Sequence, residues 1–380
     1  MIAVSLTRAQ DFKKALNSGA DYLELRTDYF TNQQLKHFVE HSTLPVIYTI
    51  KRPTHYIPKV AYVDRDSFHD YHRTPSYQFL DHVIKKISFP KIATQVNTVD
   101  DLYTLAKLQK KYGKKAIIIG MGELGMMTRV YNKSVLTYAS VSKTTATAPG
   151  QLTVAELKST RIFGLIGDDI QNSLSPKLHH GQSYRYQLWQ TDDLQKFMFV
   201  FNWFQLPGAS VTKPFKIDVM KYCDRLDNDA KTIGAVNTIV RQGKQLVGYN
   251  TDWIGVQKSI GKYLKHKTVL ILGRGGAAKA VAYAAQQADA KKVTMLGSIQ
   301  LLTTNYYYDV LVNATPVTDH LLVSAESLKG KVVMDCVYAK KTELLRQAKR
   351  QGAKVVLDGL PMLRYQAIEQ AKLFNRQYAR

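Results

Sequence analysis

Cysteine is nearly absent from this 380-residue chain, which has only Cys223 and Cys336, far apart in sequence. That excludes a disulfide framework, and no CxxC pair is present to hold zinc. Long apolar runs are also missing; nothing approaches the ~18 residues that a membrane-crossing helix needs. The first residues, MIAVSLTRAQDFKKAL, lack the order of a secretory leader, in which charge, a long apolar run and a small-residue cleavage site follow one another. A reduced, cytoplasmic protein with no membrane partner is the expectation. There is no low-complexity tract, no short repeat and no cluster of metal-ligating residues, so no metal is expected. Acid is scarce as well: 30 Asp and Glu stand against 53 Lys and Arg, for a net charge of +23. The basic residues are spread along the chain rather than gathered in a tail, and no zinc-finger or RNA-binding signature accompanies them. We therefore expect no nucleic-acid partner. The same positive field draws small anions such as carboxylates and phosphates.

What is present is a core of ordinary size, with hydrophobic residues at 45%. Short apolar runs (AVSL, YLEL, PVIYTI, KAIIIG, TVLILG, KKVTML, YDVLVNAT, KVVMDCV) alternate with segments such as VDDLYTLAKLQKKYG and ELLRQAKRQGA, whose apolar residues recur at helical spacing. Strands alternating with helices predict an α/β fold with parallel sheets. The polar passage APGQLTVAELKST, residues 148–160, interrupts the pattern before a new run, IFGLIG. Boundaries are expected there and after Gly255. They give three parts: residues 1–155, residues 160–255 completed by 360–380, and residues 256–359.

Residues 268–280, TVLILGRGGAAKA, run from a buried-type strand through Gly273, Gly275, Gly276, Ala277 and Ala278 into a helical pattern. Glycines there let backbone approach a pyrophosphate, the helix start offers free N–H groups, and small Ala278 permits close helix–strand packing. Strand, loop and helix stand in the order a dinucleotide site requires. The second strand of the unit ends without the acid that favours NAD, at Gly297-Ser298. That leans towards NADP, with NAD not excluded. The stretch from Ser298 to the strand YDVLVNAT is short for a crossover helix.

Four further segments suggest the chemistry. Ser173 and Ser175 in NSLSP place two hydroxyls where a carboxylate could bind. Thr212 and Lys216 lie in ASVTKPFK, Asn237 in GAVNTI, and Asn250, Thr251 and Asp252 in GYNTDWIG. Reducing a ketone needs a proton donor beside the carbonyl, and a lysine paired with an aspartate holds one mobile proton. Lys216 and Asp252 are the candidates.

The order SxSP, VTxPFK, GAVNT, GYNTD, GxGGAA, NATP and GxxMLxxQA resembles shikimate dehydrogenase from about Arg161 to the C-terminus. The resemblance implies an oxidoreductase with a substrate domain and a Rossmann-like dinucleotide domain. It also implies that Ser173, Ser175, Thr212, Asn237, Asp252 and Gln366 bind shikimate, that Lys216 pairs with Asp252, and that Asn313 and Thr315 line the nicotinamide side. The family's Asn-Arg pair after the second nucleotide strand is absent.

The first half resembles a shortened type I 3-dehydroquinate dehydratase, a lyase of (β/α)8 TIM-barrel type. The matching pieces are ELRTD, SFHDYHRTP, KIAT, MGELGMMTR and LTYAS through APGQ. A lysine amine can attack a ketone and form an imine (a Schiff base) that acts as an electron sink, and an imidazole can then move the proton. The resemblance implies Lys91 and His69 for these roles, with Glu24, Arg26, Arg129 and Gln151 around the substrate. The arginine expected after Thr49 is either Arg52 or replaced by Lys51, and the family's Glu-Gly-Gly is missing. A barrel takes at least ~200 residues, so the shortened one either closes with bare connections near strands four and five or stays open. The two resemblances together imply a multifunctional enzyme of the shikimate pathway of aromatic amino acid biosynthesis. It would convert 3-dehydroquinate to 3-dehydroshikimate and then to shikimate. The alternative is a dehydrogenase carrying an inactive dehydratase-like module. The sequence does not indicate an oligomeric state.

Overall fold

Runs of four or five apolar residues form strands, and apolar residues at three- and four-residue intervals form helices, as their side-chain periods require. The structure, a computed structural model, describes residues 1–51, 62–64, 68–87, 90–297, 306–338 and 340–376; of residues 62–64 and 68–70 it describes the backbone alone. Threonines start several helices. Thr31, Thr98 and Thr153 each form a reciprocal capping box, with Gln34, Asp101 and Glu156 respectively, satisfying N–H groups that the helix itself leaves unbonded. No described helix is long and apolar enough to cross a membrane.

The chain divides into two compact units, Met1–Ile162 with Trp189–Leu206, and Phe163–Leu188 with Pro207–Arg380. The first carries strands β1 (Ile2–Leu6), β2 (Tyr22–Arg26), β3 (Val46–Thr49), β4 (Tyr62–Asp64), β5 (Phe68–Tyr71), β6 (Lys91–Gln95), β7 (Ile117–Met121) and β8 (Thr137–Ser140). They form two parallel sheets, ordered β4-β3-β2-β1-β8 and β5-β6-β7. This is the strand order of an eight-stranded ring. Among the described residues, two joints lack ladder bonds: β4 to β5 and β7 to β8. The first has a simple cause. Only residues 65–67 separate β4 from β5, whereas parallel neighbours need a crossover of about a dozen residues. The segment therefore serves the β3 edge with its first half and the β6 edge with its second. The shortened barrel is thus present in strand order and open in hydrogen bonding. Its two sheets still share an interior: one apolar cluster draws Ala3 from β1, Ile47 from β3, Ile117 and Ile119 from β7, and Tyr138 from β8. Within the same unit, the helix Leu194–Trp203 meets the helix Val99–Tyr112, with the Tyr103 and Phe199 rings 5.2 Å apart and Lys196 Nζ 2.6 Å from Asp100.

The second unit begins with a mixed sheet of β9 (Ile162–Gly167), β10 (Arg185–Gln190), β11 (Gly208–Val211), β12 (Arg225–Leu226), β13 (Thr238–Gln242) and β14 (Gln245–Tyr249), ordered β10-β9-β11-β13-β14-β12. A five-stranded parallel sheet follows, made of β15 (Thr268–Leu272), β16 (Lys292–Leu296), β17 (Val310–Asn313), β18 (Val332–Asp335) and β19 (Val355–Leu357), ordered β16-β15-β17-β18-β19. Strand order reverses at β15, so the crevice beyond its carboxyl end is the topological switch point where such sheets bind ligands. The helix Gly276–Gln287 buries Ala278, Val281 and Ala285 against Val269 and Ile271 of β15. The helix Leu360–Arg376 approaches the helix Asp252–Ile260 closely at Gly255, where a Cβ would stand 2.5 Å from the Met362 carbonyl oxygen. Residues 298–305, where a short crossover was expected, lie outside the described residues.

Candidate active sites

Strand alternation turns Glu24 into the interior of the first unit, where it is 3% exposed. Ser5 of β1 donates to one carboxylate oxygen, and Thr49 of β3 donates to the other at 3.0 Å. Lys91 reaches the same carboxylate from β6, in the other sheet, with Nζ 3.3 Å from Oε1. Its ammonium also lies 3.9 Å from the centre of the Tyr138 ring on β8. A buried ion pair thus spans two sheets that, among the described residues, no ladder bond joins. Burial alone would raise the Glu24 carboxyl. The Lys91 ammonium, the Ser5 hydroxyl, Arg26 and Thr49 outweigh it and hold Glu24 below its ordinary value.

Arg129 is buried alongside. It donates from Nε to the Gly120 carbonyl at 3.2 Å and from Nη1 to the Tyr138 carbonyl at 3.4 Å. Burial lowers its guanidinium to about 10, which leaves it charged at neutral pH. Tyr138 thus meets Lys91 with its ring and Arg129 with its backbone carbonyl. Arg26 and Gln151 are engaged by near neighbours in sequence: Arg26 forks onto Asp28 at 3.0 and 2.6 Å, and the Gln151 side-chain oxygen accepts from the backbone and hydroxyl of Thr147. The backbone of His69 pairs with Ile92, on the strand that carries Lys91; its side chain, and all of Arg52, lie outside the described residues. Lys51 donates its backbone N–H to Thr27 at 2.9 Å. Ser5, Thr49 and Tyr138 were not foreseen from sequence. Each is one inward-facing position on a strand, and only the strand order shows which of these positions meet.

In the second unit, Lys216 Nζ stands 2.6 Å from Asp252 Oδ2. Asp252 opens its helix and is buried. Its other oxygen accepts from Asn237 Nδ2 at 2.9 Å, and that amide also reaches Thr251 Oγ1 at 2.9 Å and Gln366 Oε1 at 3.3 Å. Asn237 is oriented in turn, because its oxygen accepts from the Thr251 backbone and the Thr238 hydroxyl, both at 2.8 Å. Asn250 holds the turn by accepting from the Asp252 N–H at 3.0 Å and donating to the Ala235 carbonyl at 2.9 Å.

The paired serines connect to this cluster by a relay that sequence reading missed. Ser173 donates to Ser175 at 3.1 Å, and Ser175 bonds Tyr186. Tyr186 donates to Ser210 at 2.7 Å, and Ser210 donates to Gln370 at 3.0 Å. Gln370 donates to the Asn237 carbonyl at 3.2 Å and to Thr238 at 3.0 Å. The available signal was helical spacing, since Gln370 lies one turn after Gln366. Beneath the relay, His179 stacks on Tyr186 at 4.0 Å between ring centres and pairs Nδ1 with the Tyr184 hydroxyl at 2.6 Å. Burial lowers the imidazole to about 4, so it is neutral at pH 7. Thr212 is half-buried and donates its backbone N–H to the Ile166 carbonyl at 3.0 Å, with its methyl against Gly167.

The glycine loop completes the second cluster. Gly273 has φ +119°, and a Cβ there would meet the Ala314 carbonyl oxygen at 3.1 Å, so only glycine fits without strain. Gly275 caps the helix that starts at Gly276. A Cβ on Gly276 would stand 3.0 Å from both Cβ and Cδ of Lys216. The loop therefore lies directly against the lysine of the ion pair. Ala277 is half-buried and Ala278 fully buried. Asn313, at the end of the neighbouring β17, accepts from the backbone and hydroxyl of Thr315 at 3.0 and 2.7 Å and donates to Asp335 at 3.2 Å. Bare backbone at a switch point before a twelve-residue helix fits the phosphates of a dinucleotide. Among the described residues, no group of three or more His, Cys, Asp or Glu is placed to hold a metal.

Comparison with known proteins finds relatives of both halves of the chain. Residues 165–239 match the family described as shikimate dehydrogenase substrate binding domain, and residues 66–163 match type I 3-dehydroquinase. A shikimate dehydrogenase (NADP(+)) of Pyrococcus abyssi is 36% identical over 248 residues, covering 57% of this chain and 93% of that protein. The bifunctional 3-dehydroquinate dehydratase/shikimate dehydrogenase of Arabidopsis thaliana is 31% identical over 378 residues and covers 81% of this chain; the chain spans 62% of that relative's length. The crystal structure of shikimate dehydrogenase from Aquifex aeolicus superposes with a TM-score of 0.51 at 33% identity, covering 59% of this chain and 99% of that one.

Proposed function

We infer the function from one premise: this chain belongs to the shikimate dehydrogenase family. We propose that residues 160–255 with 360–380 bind shikimate or 3-dehydroshikimate, that residues 256–359 bind NADP, and that residues 1–155 dehydrate 3-dehydroquinate. The observation that carries the dehydrogenase reading is the 2.6 Å Lys216–Asp252 pair with Gly276 packed against the lysine. Gly273, Gly275 and Gly276 would hold the nucleotide, which would supply the hydride in reduction and take it up in oxidation. Lys216 delivers the matching proton to the carbonyl oxygen in reduction and takes it back in oxidation. Asp252, fixed by Asn237, keeps the ammonium aimed, and Ser173 and Ser175 hold the carboxylate.

In the first unit, Lys91 attacks the ketone and expels water to form an imine. The imine accepts the electron pair when a proton leaves the adjacent carbon. His69 moves that proton, the departing hydroxyl leaves as water, and hydrolysis of the imine frees Lys91. Before any of this, Lys91 must lose its own proton, and the Glu24 carboxylate at 3.3 Å holds and orients its amine. Two free cysteines support work in a reducing, cytoplasmic compartment. The second reading, a dehydrogenase with an inactive dehydratase-like module, is favoured by the open barrel joints and by Arg26 being held on Asp28.

Two assays test the proposal. Lys216→Ala should lower shikimate oxidation by about 10²- to 10⁴-fold while borohydride trapping of dehydroquinate still labels Lys91. Equal loss of both signals contradicts two independent sites, and absence of labelling in the parent chain selects the inactive-module reading.

A further inference from the structure

The strand end that discriminates between the two nicotinamide dinucleotides carries no acid here, because β16 runs out at Leu296 into Gly297. In a βαβ dinucleotide unit, an acid at that point holds the ribose 2′-hydroxyl of NAD, and a nearby arginine accommodates the 2′-phosphate of NADP. The sequence offers no arginine after the strand. The structure brings one in from the glycine loop.

β15 and β16 are adjacent and parallel, with Leu272 opposite Leu296, and the Gly273 N–H donates to the Leu296 carbonyl at 2.8 Å. The residue following Gly273 is therefore next to the end of β16. That residue is Arg274, which is exposed. Its side chain lies along Gly297: a Cβ built on Gly297 would stand 3.3 Å from Nε, 3.4 Å from Cδ and 3.6 Å from Cζ of the arginine. Glycine at 297 leaves a bare shelf, and the guanidinium rests on it. A Cβ at 297 would sit in contact with the arginine along its length, so a larger residue there crowds it.

We propose that Arg274 is the residue by which this chain selects NADP over NAD, through a forked contact with the 2′-phosphate. The inference rests on the dinucleotide reading above. A guanidinium presents a planar set of donors that matches a phosphate, and the phosphomonoester carries close to two negative charges at neutral pH. The adenosine ribose of NAD offers only a hydroxyl at that point, so the contact discriminates rather than binding both nucleotides alike.

Titration by nicotinamide fluorescence, independent of turnover, tests this. Arg274→Ala should weaken NADPH by about 10- to 100-fold, the range for a lost charge-assisted hydrogen bond, and leave NADH little changed. Arg274→Lys should fall between, because it keeps the charge and loses the fork. Gly297→Asp should turn the preference towards NADH. Equal weakening of NADPH and NADH by Arg274→Ala overturns the proposal and leaves the dinucleotide site standing. A parent chain that binds neither nucleotide overturns the dinucleotide reading, and this inference with it.

Discussion

A carboxylate and an ammonium removed from water are held in place only by each other and by their hydrogen bonds. Glu24 and Lys91 are such a pair. Taking the charge from one side leaves the other buried and uncompensated, at a cost of about 3–5 kcal/mol. Glu24→Gln should therefore destabilise the first unit in urea melts at pH 7. The pH dependence follows from the sign of the shift. The folded carboxyl sits below its ordinary value of 4.5, so its contribution is complete above that pH and fades as pH falls through the folded value. The gap between parent and variant should narrow in acid; a gap that widens there contradicts the pairing. His179 behaves in the opposite chemical sense. Folded, it resists protonation until about 4, while the unfolded imidazole takes a proton near 6.5. Between those values the unfolded chain binds more protons, so acidification across that window should cost up to about 3 kcal/mol. His179→Gln should flatten that part of the stability–pH curve, and an unchanged curve would contradict a buried neutral imidazole.

At the scale of elements, two glycines in one loop have separable tasks. Gly273 turns the chain in a conformation that suits glycine, whereas Gly276 leaves room for the Lys216 side chain. Gly273→Ala should weaken nucleotide binding and destabilise the unit by more than about 1 kcal/mol. Gly276→Ala should keep more of the nucleotide affinity but lower kcat, since its Cβ pushes on Lys216, the lysine proposed to carry the proton. Affinity measured beside kcat separates the two; the reverse pattern contradicts the assignment. This loop was legible in sequence because strand, glycines and helix are contiguous. So was the Lys216–Asp252 pair, because reducing a ketone calls for a proton donor and the neighbouring motifs supply a lysine and an aspartate. Arg274 was not legible: in sequence it is the variable position of a glycine motif, and only the register of β15 on β16 brings it to Gly297. Tyr138, Ser5 and Thr49 were hidden for the same reason, since their meeting depends on how the strands are ordered. The double service of residues 62–71, first to β3 and then to β6, required the strand pairings themselves.

For the molecule as a whole, the proposed function places two sites of different chemistry in two units, with Lys91 proposed to form an imine in one and Lys216 proposed to transfer a proton in the other. Every proposed substrate is a carboxylate and the proposed cofactor a polyphosphate, so a chain with net charge +23 favours their approach from solution. Across the open barrel joints, the Glu24–Lys91 bridge and the shared apolar cluster connect the two sheets that surround the first site. The decisive measurement is NADPH oxidation with 3-dehydroquinate as the only carbon substrate and this chain as the only enzyme. The account predicts steady loss of nicotinamide absorbance, abolished by Lys91→Ala and restored to that variant when 3-dehydroshikimate is supplied. NADPH oxidation with 3-dehydroshikimate but never with 3-dehydroquinate would contradict it.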